Sequence, residues 1–235
     1  MELLRGGRGV MRVGHRGAAA LASESSLAAI EAASACGADA VELDVLPGLV
    51  IAHGPEVPPD APRLDDALAL AAQLGLAVQL DVKVRGLEAG IVAALGRHGL
   101  LERSFVSSYS LPILEAFALA EPRLPRAFTY PEDRLGVTGS RLLSPVVRPT
   151  LAVFRALLPR RLPRFLRAAG ASAATLNWAV VTPAVIEVCH RLGVAVFVWT
   201  VNEPALATTL VESGIDGIIS DDPGIIPAGR STSKP

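Results

Sequence analysis

Two carboxylates that lie one residue apart give the strongest chemical signal in this sequence. Glu42 and Asp44 belong to an apolar stretch, residues 38–45, that predicts a buried strand. Because successive side chains of a strand point to opposite faces, both carboxylates share one face. Like charges in one small volume repel each other unless a cation lies between them. The pair therefore predicts a divalent metal site, and the alternative is an edge strand whose acidic side chains face water.

Glycines mark the elements that must position this pair. Four times a helical pattern ends at a glycine that precedes a short apolar run, at Gly37, Gly75, Gly193 and Gly214. Glycine just past a helix end supplies the left-handed conformation of the helix cap. The runs are apolar on both faces, as parallel strands covered by helices are. The pattern predicts alternating strands and helices.

Eight strands follow from this pattern. They are predicted near residues 11–14, 38–45, 76–83, 104–108, 124–129, 172–176, 194–201 and 216–220. Eight parallel strands in 235 residues favour an α/β fold of the (β/α)8 TIM-barrel type, a single domain with a usual length of ~250 residues. A doubly wound open sheet is the alternative, but the sequence after the first strand lacks the G-x-G-x-x-G spacing. We expect a flexible N-terminus over residues 1–10, the barrel over 11–228 and a disordered tail over 229–235.

Side chains suited to catalysis and binding fall at the carboxyl ends of these strands, which meet at one mouth in such a barrel. They are His15, Arg16, Glu42, Asp44, His53, Asp81, Lys83 and Trp199. Lys83 is informative because the chain contains 20 Arg and only 2 Lys. A compact ammonium close to a metal and a phosphate oxygen explains this choice. The alternative is a rim lysine whose stem covers apolar surface.

The ordered set of motifs resembles the glycerophosphodiester phosphodiesterase family, which belongs to the phospholipase-C-like phosphodiesterase superfamily of TIM barrels. The family pattern runs H-R-G, E-N, G-A-D-x-x-E-x-D, H-D, E-x-K, W-T-V-N and D-G-I-x-T-D-x-P. The corresponding segments here begin at His15, Glu24, Gly37, His53, Asp81, Trp199 and Asp216. The resemblance therefore extends over nearly the whole chain.

The resemblance implies metal-dependent hydrolysis of a glycerophosphodiester to an alcohol and glycerol 3-phosphate. It assigns His15 and His53 to an acid/base pair, Arg16 and Lys83 to the phosphate, and Glu42, Asp44 and Asp81 to one divalent ion, Mg²⁺ or Ca²⁺. The chemistry agrees, because a phosphodiester anion needs positive charge on its oxygens and a proton for the departing alkoxide. Histidine supplies or accepts that proton near neutral pH. Trp199 is expected to form an apolar wall of the substrate pocket, together with Trp178 and Phe128.

Three positions depart from the family pattern. Asp81 stands where the family has Glu, Gly54 where it has Asp, and Ser25 where it has Asn. These changes leave open a barrel that binds a phosphorylated ligand without turnover. A third reading, an aldolase with Lys83 as the Schiff-base residue, is disfavoured because neighbouring carboxylates keep an ammonium charged.

Composition limits the classes of partner. The net charge of −1 and the 4% aromatic content argue against nucleic acid. Cys36 and Cys189 lack metal-ligand spacing and are predicted to be ordinary core thiols. The chain shows neither an apolar run long enough for a bilayer nor a signal-peptide pattern, so we expect a cytoplasmic protein.

An arginine-rich stretch has no counterpart among these motifs. Residues 134–186 contain eight arginines and no acidic residue. We expect residues 134–170 to form an insertion between the fifth and sixth barrel strands. One interpretation is a surface for transient contact with anionic lipid headgroups, which would favour a lysophospholipid substrate. The alternative is a helix pair with a solvated cationic face and an apolar core stripe.

Overall fold

The computed structural model describes residues 1–5, 9–54, 57–131 and 144–227 of the chain. The strands are β1 (Met11–Gly14), β2 (Ala40–Leu46), β3 (Val50–Ile51), β4 (Ala77–Val82), β5 (Ser104–Ser108), β6 (Arg126–Tyr130), β7 (Ala173–Asn177), β8 (Ala195–Trp199) and β9 (Gly217–Ser220). The helices are α1 (Leu27–Ala35), α2 (Leu64–Gln73), α3 (Glu88–Arg97), α4 (Leu111–Ala120), α5 (Ser144–Ala169), α6 (Pro183–Arg191) and α7 (Pro204–Glu212). Short 3₁₀ helices cover Leu101–Arg103, Trp178–Val180 and Pro223–Ile225.

The eight predicted strands are present and close into a parallel barrel. Their bounds lie within two residues of the predicted ones. Closure follows from β1, which pairs in parallel with both β2 and β9, so that Val13 lies opposite Ala40 on one side and Ile219 on the other. The additional strand β3 forms an antiparallel hairpin with β2. The prediction of a (β/α)8 barrel is confirmed, and the open-sheet alternative is wrong because an open sheet leaves β1 without one of these partners.

Small side chains at the base of the barrel interior make room for two aromatic rings. Alanines from five strands line this base: Ala40, Ala77, Ala127, Ala173 and Ala195. Phe105 and Phe197 fill the space between them, with ring centroids 5.3 Å apart. A Cβ atom at Gly217 would lie 2.3 Å from the Phe197 ring, so this position requires glycine.

The first residues of the chain pack under the barrel. Leu3 is only 4% exposed and contacts the base cluster. The backbone N–H of Arg5 donates a hydrogen bond to Asp216 Oδ1 at 2.8 Å. For residues 1–5 this differs from the flexible N-terminus expected from the sequence. The reason is that the base of the barrel is apolar, and burying Leu3 there removes apolar surface from water.

Helix caps explain where two of the flanking helices begin. Ser26 accepts a hydrogen bond from the Ala29 N–H at the start of α1, and Thr182 accepts one from the Val185 N–H at the start of α6. Such side chains satisfy amides that have no partner inside the helix. Both helices follow βα loops, so their first turns lie at the mouth of the barrel.

Helix α5 lies in the arginine-rich stretch that is expected to form an insertion. It runs between β6 and β7, where the barrel requires a crossover. Its second half buries Leu158, Leu162 and Leu166 at four-residue spacing in the main core. Residues 158–169 therefore pack against the barrel, while residues 132–143 and the predicted tail lie outside the described residues. Among the helices described, none is sufficiently long and apolar to cross a bilayer.

Candidate active site

A cavity of about 510 Å³ opens at the carboxyl ends of the barrel strands. It is lined by all eight side chains predicted from the strand ends for catalysis and binding: His15, Arg16, Glu42, Asp44, His53, Asp81, Lys83 and Trp199. The barrel therefore places these eight side chains around one volume. Trp178 and Phe128 do not line it. Phe128 points out of the barrel and stacks on Phe165 of α5 with centroids 5.5 Å apart, so of the expected aromatic wall only Trp199 is in place.

Three carboxylates converge on one side of this cavity. Glu42 and Asp44 come from β2 and Asp81 from the neighbouring β4, where Asp44 and Asp81 are register partners. One oxygen of each residue lies within 4.8 Å of the other two. Glu42 and Asp44 are 6% and 3% exposed. A buried set of oxygen ligands of this kind suits a hard divalent cation.

Electrostatics give a test of whether a cation fits among these carboxylates. Burial, followed by the charge of Asp44, raises the pKa of Glu42 to about 7. The same two causes raise the pKa of Asp81 to about 6. The protein alone therefore does not stabilise all three negative charges near neutral pH. A divalent cation between the oxygens would remove this penalty, so the residues present fit a metal ion.

A hydrogen-bond relay holds the third carboxylate. Ser107 Oγ donates to Asp81 Oδ1 at 2.7 Å, and Gln79 Nε2 donates to Ser107 Oγ at 3.0 Å. An ionised Asp81 accepts only, so the Ser107 hydroxyl donates to Asp81 and accepts from the Gln79 amide. Both partners are buried on strands β4 and β5. The relay fixes the orientation of the shorter Asp side chain that replaces the family's Glu.

Two cations complete the polar side of the cavity. Lys83 Nζ contacts Asp44 Oδ1 and lies 3.6 Å from Asp81 Oδ2. Burial lowers the pKa of Lys83, but the charges of these two carboxylates outweigh it and leave the pKa above its usual value. This environment favours the ammonium form of Lys83 and disfavours a role as a Schiff-base nucleophile. Arg16 Nε lies 3.5 Å from Asp44 Oδ2.

Backbone geometry explains the G-H-R-G motif. A Cβ atom at Gly14 would lie 1.8 Å from the carbonyl oxygen of Gly17, and one at Gly17 would lie 2.6 Å from the Cβ of Ala29 in α1. Between these glycines, Arg16 has a positive φ of 51°. This turn aims the Arg16 N–H at Glu42 Oε2, at 3.0 Å. The motif therefore brings α1 close to β1 and binds a carboxylate of the cluster at the same time.

His15 is held by a carboxylate at the opposite end of the chain. Its Nδ1 lies 2.6 Å from Asp221 Oδ1. Asn202 orients Asp221, because Asn202 Nδ2 donates to Asp221 Oδ2 and Asn202 Oδ1 accepts from the Asp221 N–H at 3.0 Å. Burial lowers the pKa of His15, but the Asp221 hydrogen bond and the charge of Glu42 outweigh it, so the pKa is raised. The hydrogen bond also leaves Nε2 as the ring nitrogen that faces a substrate.

His53 lies at the mouth, and its contact with a carboxylate is longer than that of His15. Its Nδ1 is 3.9 Å from Glu24 Oε1, and its side chain is 38% exposed. The other oxygen of Glu24 accepts a hydrogen bond from Arg16 Nη1 at 2.6 Å. Burial and then the charge of Arg16 lower the pKa of His53. The short loop after β2 therefore brings His53 to the cavity, and Glu24 lies between it and Arg16.

Four residues of the site were not assigned a site role from the sequence: Asp221, Glu24, Gln79 and Ser107. Asp221 binds both Asn202 and His15. Its signal was its position directly after the last strand, at the mouth. Gln79 had a signal in its spacing, because it lies two residues before Asp81 and so shares its face. Ser107 had none, since its role depends on the pairing of β4 with β5.

Solved structures of similar fold include proteins from Oleispira antarctica, Agrobacterium tumefaciens and Parabacteroides distasonis. A phosphodiesterase from Oleispira antarctica in complex with the product sn-glycerol-3-phosphate has a TM-score of 0.72 and 19% identity, covering 91% of this chain and 94% of that one. A glycerophosphodiester phosphodiesterase from Agrobacterium tumefaciens has a TM-score of 0.69 and 20% identity, with coverage of 92% and 98%. One from Parabacteroides distasonis has a TM-score of 0.68 and 20% identity, with coverage of 90% and 92%. These likenesses support the barrel fold.

Sequence comparison gives the family. None of the curated proteins matches the chain. The sequence model of the glycerophosphoryl diester phosphodiesterase family matches residues 15–46 and 81–225, which is well over half of the chain and includes His15, both carboxylates of β2, Asp81 and Asp221. This protein therefore belongs to the glycerophosphoryl diester phosphodiesterase family.

Proposed function

We propose that this protein cleaves glycerophosphodiesters into an alcohol and glycerol 3-phosphate, with a bound divalent metal and with His15 and His53 as the acid/base pair. The observation that carries the proposal is the convergence of three buried carboxylates, two cations and two histidines on one cavity at the barrel mouth. The family assignment supports the same reaction. A similar barrel that holds sn-glycerol-3-phosphate supports the identity of the product.

Glu42, Asp44 and Asp81 would hold the metal, and their all-oxygen donor set favours Mg²⁺ or Ca²⁺. A bound metal supplies Lewis-acid stabilisation of the charge that develops on the phosphoryl oxygens. Lys83 and Arg16 add positive charge on the same side of the cavity. They bind and orient the phosphate, because an anion gains most from charges fixed in advance in a partly buried site.

The two histidines have environments that separate their roles. Asp221 keeps the pKa of His15 above the usual value, while burial and Arg16 keep that of His53 below it. A pair of groups whose pKa values are pushed apart serves as acid and base at one pH. We assign His15 as the acid that protonates the departing alcohol and His53 as the base. The Asp221 hydrogen bond to His15 does not involve Glu42, so this assignment rests on a contact outside the carboxylate cluster.

The proton transfers balance over two steps. His53 accepts the proton of the glycerol hydroxyl beside the phosphate as that oxygen attacks phosphorus, and His15 gives its proton to the alcohol oxygen whose bond to phosphorus breaks. This leaves a cyclic phosphate, His53 protonated and His15 neutral. Water then opens the ring, with its proton going to His15 while His53 returns its own to the glycerol oxygen. Both histidines end in their starting states.

The test is release of glycerol 3-phosphate from glycerophosphocholine by EDTA-treated enzyme that is given Mg²⁺, Ca²⁺ or Mn²⁺. We expect turnover only with added metal. Calorimetry should show that the same ion binds to the wild type and binds more weakly to Glu42→Ala. His15→Ala should abolish turnover without loss of metal binding. His98→Ala is the matched control, because His98 caps α3 and bonds to Asp65 away from the cavity.

Two outcomes would contradict the proposal. Full turnover in the absence of any metal would exclude the metal role of the carboxylates. Binding of metal and glycerol 3-phosphate without turnover of any glycerophosphodiester would favour the second candidate, a barrel that only binds a phosphorylated ligand. The exposed position of His53, whose Nδ1 lies 3.9 Å from Glu24 Oε1, is the observation that keeps this candidate.

A further inference from the structure

Exposed apolar side chains are concentrated at the mouth of the barrel. Among the described residues, eight large hydrophobic side chains are exposed, and six of them lie at the carboxyl ends of the strands. These six, the apolar rim, are Leu21, Leu27, Val57, Val84, Val153 and Trp178. The other two, Leu74 and Leu119, end α2 and α4 at the base of the barrel. Apolar side chains gathered at one end of a protein mark a surface for a partner or a membrane.

Each member of the apolar rim lies in a segment that connects a strand to the next helix, or in the first half of that helix. Val84 and Trp178 come within two residues of the ends of β4 and β7, and Leu27 is the first residue of α1. Val153 lies in the first half of α5, which follows β6. In a (β/α)8 barrel these positions encircle the active site. The rim therefore surrounds the cavity that contains the carboxylates and histidines.

Helix α5 extends this rim away from the barrel. Leu158 and Tyr130, the last residue of β6, line the same small cavity, so Leu158 lies at the level of the mouth. The 14 residues from Ser144 to Leu157 rise about 21 Å along the helix axis, at 1.5 Å per residue. The first half of α5 therefore projects past the strand ends. Val153, which is 57% exposed, lies on this projecting part.

Helix α5 is cationic as well as apolar. Five of its arginines are exposed: Arg155 on the projecting part, and Arg160, Arg161, Arg164 and Arg167 on the outer side of the half that packs against the barrel. The sequence from residue 134 to residue 186 contains no acidic side chain to balance them. Exposed arginines beside apolar side chains are complementary to a bilayer surface with anionic headgroups, since the guanidinium meets phosphate while the apolar groups enter the acyl boundary.

A small apolar cavity lies between the end of β6 and α5, next to the active site. It has a volume of about 100 Å³ and is lined by Tyr130, Leu157, Leu158, Arg161 and Phe165. Tyr130 separates it from the active-site cavity, because its neighbours Thr129 and Pro131 line that larger cavity. Apolar surface is thus available beside the reaction centre, on the side where α5 projects.

We propose that the apolar rim and the arginine face of α5 dock the protein on membranes that contain anionic lipid, with the mouth of the barrel towards the bilayer. If the protein has the proposed function, docking would let it take an acyl-bearing glycerophosphodiester, a lysophospholipid, from the membrane, and this consequence rests on the proposed function. The docking itself depends only on the exposed side chains named above. A protein partner or a second copy of the chain would compete for the same surface, and the test distinguishes them.

The test is co-sedimentation of the full chain with vesicles of phosphatidylcholine alone or mixed with phosphatidylglycerol. We expect binding to the mixed vesicles that weakens in 0.5 M salt, because exposed charges are screened within a few ångströms at that ionic strength. The triple variant Leu21→Ser, Val153→Ser, Trp178→Ser should bind at least about tenfold more weakly, because each apolar group buried in the bilayer contributes to membrane binding. Leu119→Ser, 87% exposed at the base, is the matched control and should bind as wild type.

Hydrolysis separates this proposal from the proposed function. The triple variant should keep wild-type turnover of glycerophosphocholine and lose at least about tenfold in turnover of lysophosphatidylglycerol within vesicles. Absence of hydrolysis of both substrates, with vesicle binding intact, would reject the proposed function and leave the docking surface supported. Absence of wild-type binding to the mixed vesicles, or equal binding by the triple variant and wild type, would overturn the docking surface. The docking surface would also be overturned if the wild type does not bind vesicles but forms concentration-dependent dimers that the triple variant does not form.

Discussion

Asp221→Asn is expected to show how much of the catalysis depends on the orientation of His15. Asp221 has an environment that keeps it ionised: burial raises its pKa, but the hydrogen bond and charge of His15 outweigh burial, so the pKa is lowered. An ionised carboxylate only accepts hydrogen bonds, so His15 Nδ1 carries the hydrogen at the 2.6 Å contact. Nε2 is then the atom that gives or receives the catalytic proton.

An amide at position 221 cannot satisfy both of its neighbours. Asn202 Oδ1 accepts hydrogen bonds from the Asp221 N–H and from Ser220 Oγ, which leaves Asn202 Nδ2 facing the carboxylate as a donor. The amide of Asp221→Asn therefore meets donors on both sides. If its NH₂ group faces His15, the imidazole is forced into the tautomer with hydrogen on Nε2. If its oxygen faces His15, two NH₂ groups oppose each other.

The expected loss follows from these contacts. A hydrogen bond to a charged group contributes about 1.5–3 kcal/mol, which corresponds to about 10- to 150-fold in rate if it is lost at the transition state. The wrong tautomer adds to this loss, so we expect kcat to fall by about 10²- to 10⁴-fold. The pKa of His15 should fall as well, since the carboxylate no longer offsets burial. The descending limb of the pH profile should then move to lower pH.

A second substitution separates the tautomer from the charge. Asn202→Asp in the Asp221→Asn background supplies an acceptor for the new NH₂ group, so the amide oxygen can again face His15 Nδ1. We expect this double variant to recover about tenfold in kcat over Asp221→Asn. The assay is the pH dependence of glycerol 3-phosphate release, with thermal unfolding of each variant as a check on folding. A kcat for Asp221→Asn within threefold of wild type would refute the reasoning, as would further loss in the double variant.

Three further changes test other parts of the molecule. His53→Ala is expected to remove the ascending limb of the pH profile of kcat: the base must be neutral, and its lowered pKa places that limb below about pH 6.5. Ser107→Ala is expected to weaken metal binding by about tenfold, measured by calorimetry, because Asp81 loses its hydrogen-bond donor. Gly217→Ala is expected to lower the free energy of unfolding in urea by about 1–3 kcal/mol, because its Cβ would lie 2.3 Å from the Phe197 ring.

Matched controls keep these outcomes interpretable. Ser108→Ala removes a buried hydroxyl from the same strand that donates to the carbonyl of Val82 rather than to a carboxylate, so metal affinity should be unchanged. Gly96→Ala lies in α3 with open space around its Cβ and should stabilise the protein by up to about 1 kcal/mol. An ascending limb that survives in His53→Ala would show that His53 does not take part in proton transfer. Equal metal affinity for both serine variants would show that Ser107 does not position Asp81 for metal binding.

Much of the fold could be predicted from periodicity alone. Short apolar runs predicted all eight barrel strands, and helix-capping glycines marked four of them, because both signals are local to the sequence. Helix α5 was harder to predict, since its prolines argue against a continuous helix. Its Leu158, Leu162 and Leu166 lie on one side, and their burial against the barrel offsets the local disadvantage of proline.

The candidate site likewise has a part that could be predicted from the sequence and a part that could not. The sequence by itself determined which groups share a face within one strand, as with Glu42 and Asp44, because alternation along a strand is local. Only the tertiary structure decided which groups from different strands meet. Asp221 bonds to His15 across 206 residues because β9 pairs with β1 and closes the barrel. Ser107 reaches Asp81 because β5 lies beside β4 at a register that puts these two residues opposite each other, and strand order and register are set by packing of the whole chain.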